Sequence, residues 1–174
     1  MSTSLTVPAL LVQARASAAA PSPAALRALR AEGAAQFDTL GLPTTRNEDW
    51  HYTSVKALAE QAFAPMAGAA DGVTAETLAP YRFAPEWPTL VFVNGRYHAA
   101  LSNVAALPEG VRVLPLDEAA ESHPELVARL AGHAAPSTRD GFTALIAAFA
   151  GEGALVHVAK EMVSEVPVHL LFVV

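Results

Sequence analysis

An α+β fold, helical toward the amino end with a small antiparallel β element, is predicted by three features of the chain. Apolar Leu26, Leu29, Phe37 and Leu40 recur near helical spacing. The run Thr89-Leu90-Val91-Phe92-Val93 breaks at Asn94-Gly95 and resumes in Arg96-Tyr97-His98, which is the pattern of a hairpin. Finally, Val168, Leu170, Phe172 and Val174 alternate with His169, Leu171 and Val173, so the last strand is apolar on both faces, as in a strand covered on both sides.

Composition bounds what such a chain can do. With 174 residues and 52% hydrophobic content, it can bury a substantial core in one main domain. A formal net charge of −6, with only 11 scattered Lys and Arg, opposes nucleic-acid or anionic-membrane partners, which demand clustered cations. The absence of cysteine removes disulfides, thiolate metal sites and a Cys nucleophile. No apolar run approaches the length needed to span a bilayer, and the chain reads as soluble.

The elements follow in order. Residues 1–20 read as a flexible amino-terminal tail; Arg15 without a nearby acid gives only a faint transit-peptide bias. A domain over 21–153 opens with a helix that Ser22 can cap, with Pro23 at its first position and Gly41 and Pro43 ending it. Thr45-Arg46-Asn47-Glu48 has capping-box spacing, predicting a short helical turn. Thr53 is a candidate cap for a helix from Ser54 to Phe63, before a loop over Pro65 to Gly72. Beyond the hairpin, Val111 to Leu116 reads as a strand that Pro115 confines to an edge. Pro124 to Leu130 reads as a helix. Ser137 to Asp140 can cap another, in which Phe142, Leu145, Ile146 and Phe149 form the expected buried stripe. Ala154 to Ala159 and Val166 to Val174 read as strands of a closing segment, 154–174. Left uncovered, the last of them would invite self-association, so the chain is expected to be the amino-terminal piece of a longer protein.

Candidate chemistry is sparse. Glu48, Asp49 and His51 could form a carboxylate-rich site, but adjacent acids on a short turn more often serve the helix end and solvent. Trp50 and Tyr52 could stack on a ring; the favoured reading is that they lock the Glu48 turn against the core. His157 and His169 could face one another from the two final strands, an incomplete metal set without a third ligand. Gly151-Glu152-Gly153 lies between a helix and a strand, the reverse of the order that points amides at phosphate, and reads as a turn. No nucleophile-elbow, zinc-helix or nucleotide-loop motif occurs.

Gly41-Leu42-Pro43 through Arg46-Asn47-Glu48-Asp49-Trp50-His51-Tyr52-Thr53 resembles the signature near the amino end of SufD, within the SufB/SufD scaffold family of SUF iron–sulfur cluster assembly. Val91 to Tyr97 with Leu101-Ser102, and Phe142 to Leu145 leading through Gly153-Ala154 to Val166-Pro167-Val168-His169-Leu170-Leu171, resemble later elements of the same family. The resemblance implies a non-catalytic, cytoplasmic scaffold subunit whose final strands enter a right-handed parallel β-helix. It implies partners similar to SufB and to the ATPase SufC, with the cluster assembled by the complex and ATP used by SufC. It implies no cofactor, metal or catalytic residue in this chain; Arg46, Glu48, Trp50, Tyr52 and Thr53 are its structural motif. Two other readings stay open: a stand-alone protein-interaction domain, and a small ligand-binding protein or hydrolase.

Overall fold

The computed structural model describes residues 4–5, 7–61, 63, 72–104 and 107–174. These fall into two compact units, one of Met1–Pro65 with His123–Gly151 and one of Met66–Ser122 with Glu152–Val174. Most of the loop expected at Pro65 to Gly72 lies outside the described residues.

The first unit is helical. Strand β1 (Ser4–Leu5) pairs antiparallel with β2 (Leu42–Pro43). Between them lie α1 (Pro8–Ala19) and α2 (Ala24–Leu40), and later come α3 (Lys56–Ala59), α6 (Pro124–Leu130) and α7 (Gly141–Ala148). Helix α1 occupies the segment expected to be a tail: Pro8 sits in its first turn, where a missing N–H costs nothing. Helix α2 begins one step later than its sequence signals, with Pro23 at the N-cap and the Ser22 hydroxyl buried without a partner. Its end is as expected, because Gly41 takes φ +58 and returns its N–H to Phe37 O at 2.9 Å.

Two clusters form this unit's core. Val7, Phe37, Leu42, Val55 and Ala144 make one, joined by Trp50 and Phe142 at its margin. Ala14, Ala34 and Ala148 make the other. The buried residues of α7 are Gly141, Ala144, Ala147 and Ala148, while Ile146 is 70% exposed. Of the expected stripe, Phe142, Leu145 and Phe149 are half-buried against the two clusters, and Ile146 faces outward. Helix α2 meets α7 at Gly33, where an added Cβ would lie 2.4 Å from the Ala148 nitrogen, and only small residues fit so close an approach.

The second unit is built of strands with short helical pieces. Sheet order is β4-β3-β7, with β3 (Thr89–Val93) antiparallel to β4 (Arg96–Tyr97) and parallel to β7 (His169–Val173). Asn94 and Gly95 both take positive φ, 51 and 80, as a two-residue hairpin of this type requires. A second sheet pairs β5 (Val111–Pro115) antiparallel with β6 (Ala154–Val158), leaving Pro115 at a strand end where its missing N–H is harmless. The remaining helices are α4 (Ala75–Leu78), capped reciprocally by Thr74 and Thr77, and α5 (Leu116–Ser122). Strand β3 is buried along its whole length. Leu90 and Phe92 pack with Val111 and Val113 on one side, and Val91 and Val93 with Leu78 and Leu101 on the other.

Candidate functional site

The signature segment emerges from buried Leu42 and Pro43 and folds as two linked turns. Thr44 donates its N–H to Asn47 Oδ1 at 2.9 Å, and Asn47 returns its own N–H to Thr44 O at 2.9 Å. A 3-10 turn over Glu48–Trp50 follows, then Thr53 N–H closes on Trp50 O at 2.9 Å. The expected helical turn is therefore present. Its N-cap is Asn47 without a side-chain cap bond, so the Thr45 capping box is not formed. Thr53 caps nothing either: α3 starts from Val55 and is four residues long.

Trp50 is the anchor. Its ring lies 4.9 Å from that of Phe142 at an interplanar angle of 30°, against the cluster around Phe37 and Val55. Tyr52 departs from the expected lock. It is 96% exposed, and its ring stands edge-on to that of His51 at a centroid separation of 4.7 Å. His51 Nδ1 lies 3.1 Å from Thr45 O, so the ring braces the turn from outside. Arg46, Glu48, Asp49, Tyr52 and Thr53 are all exposed. One indole thus holds a polar segment whose other side chains face water.

An open cleft of about 410 Å³ lies beside this turn, lined by Thr39, Leu40, Gly41, Pro43, Asn47, Glu48, Asp49, Arg139, Asp140 and Gly141. Two distant stretches meet here because Gly141 allows it: an added Cβ there would lie 1.8 Å from Gly41 O. Asp140 caps α7, accepting from Phe142 and Thr143 N–H at 2.8 and 2.9 Å. Sequence reasoning singled out Glu48 and Asp49 but did not bring Arg139 to them. The glycine at 141, next to an N-cap acid, was the available signal.

The family model described as SufBD protein N-terminal region matches residues 1–170, nearly the whole chain. The chain belongs to the SufB/SufD family. Among curated proteins, none matches it. In this family member Trp50 packs the turn against the helical core. No group of three or more His, Asp or Glu side chains could hold a metal ion among the described residues.

The histidine pair proposed from sequence is not brought together. His157 lies on β6 opposite Arg112, and His169 lies on β7 opposite Thr89 in the other sheet. Val111 and Val113 pack inward between the sheets, so the alternate positions, with His157 among them, face the other way. His169 likewise shares the face of Leu171 rather than that of Leu170, and its ring lies 5.3 Å from Phe83. Gly151-Glu152-Gly153 is a turn as expected, and Glu152 Oε2 accepts the Tyr97 N–H at 3.0 Å. This SufB/SufD-family chain has no described helix long and apolar enough to cross a membrane.

Proposed function

We propose that this chain is the amino-terminal region of a SufD-like scaffold subunit of the SUF machinery, working in the cytoplasm with a SufB-like subunit and a SufC-like ATPase. The family match over residues 1–170 carries the reading, and the SufD-type run Arg46-Asn47-Glu48-Asp49-Trp50 supports the SufD side of it. The parallel pairing of β7 with β3 supports the closing strands as the entry to a β-helix. The role is architectural: Trp50 fixes the signature turn, and neither cluster chemistry nor ATP hydrolysis falls to residues of this chain.

The test is genetic and enzymatic. Removing the protein from its cell should lower the activity of enzymes that depend on iron–sulfur clusters, and restoring it should recover them; unchanged activities would sink the proposal. The purified chain is expected to bind neither iron nor nucleotide, and stoichiometric metal by elemental analysis would overturn the architectural role.

A further inference from the structure

One cleft in the helical unit is walled by fixed backbone. It is the opening of about 410 Å³ beside the Trp50 turn, within the volume range of ligand sites. Gly141 approaches Gly41 there so closely that an added Cβ would lie 1.8 Å from the Gly41 carbonyl oxygen. On one side the mutual bonds of Thr44 and Asn47, with Trp50 against Phe142, hold the turn; on the other, Asp140 caps α7. A cleft held in this way is formed before any ligand arrives, so little ordering cost remains at binding.

Its charges are unmatched. The lining carries the carboxylates of Glu48, Asp49 and Asp140 against the single guanidinium of Arg139. Asp140 is engaged as the helix cap through one oxygen, but none of the ion pairs among the described residues involves Glu48, Asp49 or Arg139. The carboxyl end of α2 opens on the same cleft through Thr39, Leu40 and Gly41. Phe37 O receives the Gly41 N–H, whereas Thr39 O and Leu40 O receive no backbone N–H among the described residues, and the last turn of α2 holds no basic residue. A helix end of this kind carries about half a negative charge. Carboxylates and helix end therefore act in the same direction, and the cleft favours a cation.

We propose that this cleft receives an arginine side chain of a partner protein. The described residues offer no set of three His, Asp or Glu side chains for a metal ion, and a nucleic-acid backbone meets the wrong sign of charge. A guanidinium matches the acceptors present: its N–H groups lie in a planar fork, so it can pair with the carboxylate of Glu48 or Asp49 and still donate to the α2 carbonyls. Leu40 and Pro43, in the same lining, suit the apolar stem of the side chain. Because Glu48 and Asp49 stand exposed at the rim, the segment that carries the arginine can lie across the opening. This holds whether or not the chain serves cluster assembly.

Amide chemical shifts of the isotope-labelled chain, titrated with acetyl-Gly-Arg-Gly-amide, test the assignment. The amides of Gly41, Glu48, Asp49 and Gly141 should shift together and saturate in the millimolar range, as one charged side chain warrants. The same peptide with citrulline in place of arginine, similar in shape but uncharged, should leave them unmoved. Glu48→Gln combined with Asp49→Asn should weaken binding by about tenfold. Arg139→Gln, which removes the one cation of the lining, should tighten it by about twofold. Glu118→Gln combined with Glu121→Gln, exposed acids on α5, should change nothing. Ethylguanidinium, the side-chain tip alone, should bind more weakly than the peptide. No saturable shift, an equal response to the citrulline peptide, an affinity indifferent to Glu48 and Asp49, equal loss in the α5 variant, or equal binding of ethylguanidinium would each overturn the proposal.

Discussion

Gly33→Ala should destabilise the helical unit although it replaces glycine in a helix interior, a change that elsewhere gains about 1 kcal/mol. The reason is local. The new Cβ would sit 2.4 Å from Ala148 N, 2.7 Å from Ala144 O and 2.7 Å from Ala147 C, against roughly 3.5 Å for ordinary contact. All three atoms are α7 backbone, so no side chain can swing aside, and α7 must retreat by about 1 Å. That retreat loosens the Ala14, Ala34 and Ala148 cluster and the Leu145 and Phe149 side chains packed against it. Overpacking of this kind costs about 3 kcal/mol at the upper end of its usual range. After the propensity gain is subtracted, the net loss is about 2 kcal/mol. Urea unfolding followed by circular dichroism measures it, with Ala28→Gly on the exposed face of α2 calibrating the propensity term. A Gly33→Ala protein more stable than the parent would refute the backbone-to-backbone contact.

Trp50→Ala should cost about 2 to 3 kcal/mol, below the full-burial figure because the ring is half-buried, while Tyr52→Ala should change stability by less than about 0.5 kcal/mol; equal losses would mean that both rings hold the turn. Asp140→Ala removes the acceptor for Phe142 and Thr143 N–H and should cost about 1 kcal/mol in the same unfolding assay; no loss would show that the cap is not formed in solution. The Thr74 hydroxyl, followed by the Glu76 backbone N–H, holds the Glu76 carboxyl below its ordinary pKa. Its contribution is therefore present above the ordinary carboxylate range and is lost as pH falls through the lowered value. A carbon-detected NMR titration should find Glu76 titrating low and Thr74→Val restoring it; an ordinary value in the parent protein would contradict the contact.

What could be read from sequence tracks how local the determining physics is. The Asn94-Gly95 hairpin was legible because the turn itself demands positive φ. Helix α6 was legible because Pro124 marks its start. Helix α1 was missed because its apolar residues form no stripe to set it apart from a tail. The α7 stripe was legible in part. Hydrophobic spacing finds Phe142 and Leu145, which pack at the core margin, but the closest approach to α2 is made by Ala144, Ala147 and Ala148 and depends on Gly33, more than a hundred residues away. Trp50 packs against the core and Tyr52 does not; the two were not distinguishable, since nothing local says which of two neighbouring aromatics on a short turn faces inward. The cleft joins Gly41 to Gly141, a tertiary contact that no local pattern encodes.

The central claim is membership of a SUF assembly complex, and its most direct test is to capture the native protein from its own cells with an antibody and identify what accompanies it by mass spectrometry. The account predicts an ABC-type ATPase and a second, similar scaffold subunit in stoichiometric amounts. Recovery of the protein with neither partner would contradict it.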